Sequence, residues 1–154
     1  MDHQTVVVRL LVAIVMSGTV GLERSLRNKP AGLRTHLLVG LGSALITLTS
    51  IYMGEEFRTP GGAVDPTRIA ANIVVGLGFL GAGTIVHMGS SIHGLTTAAS
   101  LWATGAIGLA VGCGFYSGAG VTWVAMLIAL HLLDPLEREV VRGHVRGERR
   151  NHRT

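Results

Sequence analysis

Residues 69–133 read IAANIVVGLGFLGAGTIVHMGSSIHGLTTAASLWATGAIGLAVGCGFYSGAGVTWVAMLIALHLL, 65 consecutive positions without Asp, Glu, Lys or Arg. A helix needs about 20 apolar residues to cross the hydrocarbon core of a bilayer, so this stretch has room for three crossings and two short turns. A water-soluble fold has no physical reason to exclude charge over such a length. Working outward, a second charge-free gap runs from Thr35 to Gly54, and a hydrophobic run from Val6 to Leu22 precedes it. Spans are expected at Val6–Leu22, Thr35–Met53, Arg68–Met88, Gly94–Cys113 and Ala119–Leu133. The fold class that follows is all-α: a polytopic membrane helix bundle of about five transmembrane helices.

Composition agrees. Charged residues make up 14% of the 154-residue chain and hydrophobic ones 48%, where a soluble domain carries about 25% charged residues. Mean hydropathy is +0.48. Gly occurs 22 times, about twice its usual share. Gly weakens a helix in water, but between membrane helices it lets backbones approach closely. Cys113 is the single cysteine, so no internal disulfide can form. The net charge of +4 does not indicate nucleic-acid binding, because the Arg residues cluster beside hydrophobic spans. The expected partner is the lipid bilayer. The start of the chain lacks a basic segment before its apolar run, so no cleavable signal is expected.

Loop charge orients the spans. Residues 23–34 carry Arg24, Arg27, Lys29 and Arg34 against Glu23, and the tail after Leu133 carries Arg138, Arg142, Arg146, Arg149, Arg150 and Arg153. The positive-inside rule puts both in the cytoplasm. Residues 54–67 carry Glu55, Glu56 and Asp65 against Arg58 and fit the outside. The two basic segments share a side only if an even number of spans separates them, and spans two to five number four. The N-terminus is then outside and the C-terminus cytoplasmic. The chain divides into a transmembrane domain, residues 1–134, and a basic cytoplasmic tail, residues 135–154, with Asp134-Pro135 marking the end of the last helix. Arg9 sits where its side chain could snorkel to the interface. Gly32-Leu33-Arg34-Thr35 before span two and Gly94-Leu95-Thr96-Thr97 before span four hint at a two-helix repeat.

Several residues could carry chemistry or packing. Asp65-Pro66 reads as an N-cap followed by proline at the first helical position; the alternative for Asp65 is a partner for Arg68 or a cation ligand. On a helical wheel Arg68, Asn72, Gly76, Phe79, Gly83 and His87 share an arc about 100° wide, while Gly78 and Gly81 point elsewhere. Small residues on more than one face predict a central position for span three. Asn72, about one turn into the bilayer, needs a polar partner. In span four Thr97, Thr104, Gly108 and Gly112 lie within about 80°, with Ser100 beside them and Trp102 nearly opposite. That stripe reads as a packing seam or as a pore lining. Glu23 beside several Arg residues invites an ion-pair network. His36, His87, His93 and His131 show no zinc-ligand spacing, and read as packing or interfacial residues. No nucleophile–base motif, phosphate loop or dinucleotide fingerprint is present, so no enzyme activity and no cofactor are expected.

Gly21-Leu22-Glu23-Arg24 with Ala31-Gly32-Leu33-Arg34-Thr35-His36-Leu37-Leu38-Val39 resembles the first signature of the MgtC/SapB family. Asp65-Pro66-Thr67-Arg68-Ile69-Ala70-Ala71-Asn72 with Gly76-Leu77-Gly78-Phe79-Leu80-Gly81-Ala82-Gly83-Thr84-Ile85 resembles the second, and Gly94-Leu95-Thr96-Thr97-Ala98-Ala99-Ser100-Leu101-Trp102 continues it. The resemblance runs from about Gly18 to Gly114. It implies a bacterial inner-membrane protein of about five spans, linked to growth in low magnesium, to survival inside macrophages and to regulation of other membrane proteins, including the F-type ATP synthase. It carries over onto Glu23, Arg24, Arg34, Asp65, Arg68 and Asn72 as candidate functional residues. Longer family members add a soluble C-terminal domain, whereas only about twenty residues, rich in Arg and poor in core-forming side chains, follow the last span here.

Three readings of function are expected to compete. The first is a non-enzymatic regulator acting through membrane helix contacts. The second is a small channel or transporter for Mg²⁺ or another ion, with the polar stripe of span three facing that of span four. The third is a homo-oligomer without a solute pathway.

Overall fold

The computed structural model describes residues 1–57, 65 and 67–151, with side chains as far as Leu133. Five helices form a bundle: α1 (His3–Leu26), α2 (Leu33–Glu56), α3 (Thr67–Ala82), α4 (Leu95–Cys113) and α5 (Tyr116–Asn151). A two-stranded antiparallel hairpin, β1 (Val86–Met88) and β2 (Ser91–His93), lies between α3 and α4 and pairs Val86 with His93 and Met88 with Ser91. Four helical segments are long and apolar enough to cross a membrane: α1, α2, α4 and residues 116–133 of α5. The chain is therefore a membrane protein of the expected all-α class.

Three expectations about the elements need correction. The third helix ends at Ala82 rather than Met88. Its 16 residues extend about 24 Å, short of a core about 30 Å thick. Beyond Ala82 the chain leads into the hairpin, whose turn uses Gly89 at φ +62 and which is followed by Gly94 at φ +89; both are left-handed conformations that glycine adopts without penalty. The fifth helix does not stop at Asp134-Pro135. Its apolar part ends at Leu133, but the helix continues to Asn151. Finally, α3 is not central. That place belongs to α4, which packs against all four other helices, while α3 rests on α4 and α2 at the side of the bundle.

The core follows from where small residues let backbones meet. A Cβ at Gly21 would come 2.7 Å from the Leu33 Cα, and one at Gly112 would come 2.7 Å from the Thr47 Cβ and 2.8 Å from the Ala44 carbonyl. A Cβ at Gly40 would overlap Ser17, and one at Gly108 would overlap the Gly40 carbonyl. Helices α1, α2 and α4 thus meet at distances only glycine permits. The glycine contacts and the His36–Ser100 bond show that α2 and α4 lie side by side and parallel: residue 36 faces 100, 43 faces 108 and 47 faces 112. Each begins with Leu after a glycine N-cap, so the two Gly-Leu starts are structurally matched. Ala13, Val20, Ala44, Ile107 and Val111 fill the space between the glycine contacts.

Candidate functional site

The interior seam is polar. Ser17, His36, Ser43, Thr47, Ser50, Thr97, Ser100 and Thr104 are all buried where α1, α2 and α4 converge. Most of the hydroxyls bond their own helix, which satisfies them at no cost to packing. Thr47 donates to the Ser43 carbonyl and Thr104 to the Ser100 carbonyl, both at 2.8 Å. Ser17 donates to the Ala13 carbonyl at 2.5 Å.

His36 differs because it joins helices. It is fully buried. Its Nδ1 lies 3.1 Å from the Gly32 carbonyl, which can only accept, so Nδ1 carries the proton. Its Nε2 lies 3.2 Å from Ser100 Oγ on α4. The Ser100 hydroxyl can turn its proton to Nε2 or to the Thr97 carbonyl, 2.8 Å away. Sequence reasoning grouped His36 with packing residues. Its signal was a histidine one turn into a glycine-spaced span, which on its own does not reveal a partner 64 residues away.

The candidate residues fall into two groups at opposite ends of the bundle. At the end bearing the first loop, Arg24 is buried, with 2% of its surface exposed, and belongs to the buried face of α1. Glu23 Oε1 lies 2.7 Å from Arg27 Nε, one turn along the same helix. Arg34 is exposed on the first turn of α2, beside Ser25, Gly32 and Thr35. The Leu33 amide donates to Ser25 Oγ at 2.7 Å, so a side chain of α1 caps α2. Arg27 also reaches α5, where Nη2 lies 2.8 Å from His131 Nδ1 and 3.1 Å from the His131 carbonyl. The first loop and the start of the α5 extension therefore share one end of the bundle, as charge parity requires.

At the other end Asp65 Oδ1 accepts from the Thr67 amide at 2.8 Å and the Thr67 hydroxyl at 2.6 Å. These two bonds, the hydroxyl first, hold the Asp65 carboxyl below its ordinary range, with a smaller contribution from Arg68. Asp65 thus acts as the cap of α3. Arg68 is exposed. Pro66 and Arg58 lie outside the described residues. Arg9 does not snorkel: its Nη1 donates to the Gly112 carbonyl at 2.6 Å, supplying a partner to the last turn of α4.

The polar stripes of spans three and four do not face each other. The α4 stripe faces α2, with Thr97, Ser100, Thr104, Gly108 and Gly112 buried and Trp102 exposed. Helix α3 meets α4 through Leu77 against Gly105 and Gly81 against Ala98. Asn72, Gly76, Phe79 and Gly83 are turned outward. Asn72 donates to the Arg68 carbonyl of its own helix at 3.2 Å. A Cβ at Gly76 or Gly78 would meet nothing within 4 Å, and one at Gly83 would meet only carbonyls of the preceding turn, the nearest at 3.4 Å. Between α3 and α2 lies an apolar cleft of about 640 Å³, into which Asn72, Gly76, Gly42 and Ser43 open. Among the described residues no group of three His, Cys, Asp or Glu side chains could hold a metal ion.

Similar proteins carry related names. A protein of Escherichia coli K12 named "Putative magnesium transporter YhiD" is 43% identical over 131 residues, covering 84% of this chain and 61% of that protein. Protein MgtC of Brucella abortus is 42% identical over 125 residues, covering 80% of this chain and 49% of that protein. The chain thus spans about half to three-fifths of the length of these relatives. No solved structure matches it. Residues 10–139 match the MgtC family, and with its spans, both signature segments and their spacing in place, the chain belongs to that family.

Proposed function

We propose that this chain is a non-enzymatic protein of the bacterial inner membrane that serves adaptation to low magnesium by contacting another membrane protein through its helices. The observation that carries this reading is the split between the two polar stripes. The inner stripe of α4 packs against α2 at Gly108 and Gly112, where an added Cβ would meet the Gly40 and Ala44 carbonyls. The outer stripe of α3 presents Asn72 and Gly76 in an open cleft against α2. An amide facing lipid is unfavourable unless a second helix supplies a polar partner, and glycines at Gly42 and Gly76 admit close backbone approach. The basic first loop and tail face the cytoplasm in this reading.

The test replaces Asn72 with Leu and Gly76 with Leu and measures growth in low magnesium at matched protein levels. Loss of growth with an intact, folded protein is expected. Normal growth of both variants would refute the cleft as the working surface. Co-purification with the F-type ATP synthase, the partner suggested by the family resemblance, should fall in the same variants.

A second reading is magnesium transport, favoured by the name of the Escherichia coli relative. Purified protein in liposomes separates the two: Mg²⁺ flux above empty vesicles would favour transport and overturn the regulator reading.

A further inference from the structure

Helix α5 contains a proline where a proline should break it. A proline has no amide hydrogen to give the carbonyl four residues earlier in a helix; for Pro135 that carbonyl belongs to His131. The helix nevertheless runs unbroken from Tyr116 to Asn151. The His131 carbonyl accepts instead from Arg27 Nη2, 3.1 Å away and 104 positions distant in sequence. The same nitrogen lies 2.8 Å from His131 Nδ1. A guanidinium is permanently protonated and has no acceptor lone pair, so Nδ1 accepts and the ring proton sits on Nε2. Glu23, one turn back on α1, holds the other side of the same guanidinium, with Oε1 at 2.7 Å from Nε. A planar fork with five donors suits three acceptors at once; an ammonium does not.

We infer that Arg27 is a clamp that replaces the amide donor missing at Pro135. It keeps the basic extension of α5 in line with the apolar span and couples the direction of that extension to the first loop. With the clamp closed, the freed carbonyl has a donor and the helix continues through the proline. With the clamp open, the carbonyl has lost both of its donors, and α5 is free to kink at the position where prolines ordinarily kink helices. Glu23 and Arg27 thereby acquire a role that the contact surface on α3 does not involve.

The test measures the straightness of α5 in the full chain in lipid nanodiscs. Cys113→Ser removes the single native thiol, and spin labels at Val121→Cys and Arg146→Cys flank the proline. An unbroken helix separates these positions by about 37 Å. The parent should give a narrow distribution near that distance. Arg27→Ala should give a shorter and broader one. Pro135→Ala restores an amide to position 135, so Pro135→Ala and Arg27→Ala/Pro135→Ala should both match the parent. An Arg27→Ala distribution identical to the parent, or equal broadening with and without the proline, would overturn the clamp. If Arg27→Ala does not accumulate, Arg27→Lys takes its place: intermediate broadening that Pro135→Ala abolishes supports the clamp, and parent-like behaviour refutes it.

Discussion

Replacing Gly108 by Ala adds one methyl group where the bundle has least room. The new Cβ would overlap the Gly40 carbonyl and lie 3.0 Å from the Ser43 Cβ and 3.1 Å from the Gly40 carbonyl carbon. Carbon atoms prefer about 3.5–4.0 Å, so α4 must retreat from α2 by about 0.5–1 Å. Two backbone atoms of Gly40 are among the obstacles, and no rotamer change relieves a backbone clash. A gap of that size forfeits a quarter to a half of each dispersion contact along the seam, and overpacking of this kind costs about 1–3 kcal/mol. The helix propensity gained on going from Gly to Ala, about 1 kcal/mol in water, offsets little here, because membrane helices form before they associate. Gly76→Ala is the matched control, since its Cβ would meet nothing within 4 Å. Reversible unfolding in mixed micelles, or steric trapping in bicelles, measures both. Gly108→Ala should lower stability by about 1–3 kcal/mol and Gly76→Ala by less than about 0.5 kcal/mol. Equal stability of Gly108→Ala and the parent, or a greater loss for Gly76→Ala, would refute the assignment of the seam.

His36→Ala should destabilise by about 1–3 kcal/mol by emptying the space of a fully buried ring and breaking its bond to α4, whereas Ser100→Ala should cost about 0.5–1.5 kcal/mol because the His36 ring stays in place with its bond to Gly32; the same unfolding assay checks the order. Trp123 Nε1 donates to the Met16 carbonyl at 3.1 Å and lies 2.9 Å from Thr19 Oγ1, so Trp123→Phe should loosen α5 on α1 by about 0.5–1.5 kcal/mol, read by the rate of amide exchange in residues 119–130. The Asp65 carboxyl is depressed by its bonds to Thr67, so the cap is fully formed at pH values above the ordinary carboxylate range and is lost as pH falls through the lowered folded value. Protection of the Thr67 amide, taken relative to the intrinsic exchange rate at each pH, should therefore fall on acidification in the parent and be low at every pH in Asp65→Ala; pH-independent protection in the parent would contradict the cap.

How much of this was legible depended on which physics each residue answers to. The membrane itself selects the span pattern, so charge-free length was enough to read the helix bundle from the sequence. The α4 stripe was legible because Thr97, Thr104, Gly108 and Gly112 repeat at helical spacing, and only close packing or a pore explains such a repeat. The same wheel misled on α3. It shows that Asn72 and Gly76 share a face, but not whether that face meets a neighbour or looks outward. The hairpin after Ala82 was hidden because residues 83–94 are as free of charge as the helices on either side. The continuation of α5 was hidden for another reason. The proline rule is local, and Arg27 supplies the missing donor from 104 positions away in sequence.

The two ends of the bundle therefore carry different kinds of candidate residue. Glu23, Arg27 and His36 are tied into the frame of the bundle: Glu23 and Arg27 to each other along α1, Arg27 to α5, and His36 to α4, and Arg24 is buried on α1. Their substitution changes how helices sit, and loss of activity there does not by itself identify a binding surface. Asp65 is committed to capping α3. Asn72 stands apart, because its bond to the Arg68 carbonyl stays within its own helix and its side chain opens into the cleft beside Gly76 and Gly42. A variant that loses function at Asn72 while keeping parental stability would therefore locate a surface of contact, whereas the same phenotype at His36 or Arg27 would report only on the frame that holds that surface in place.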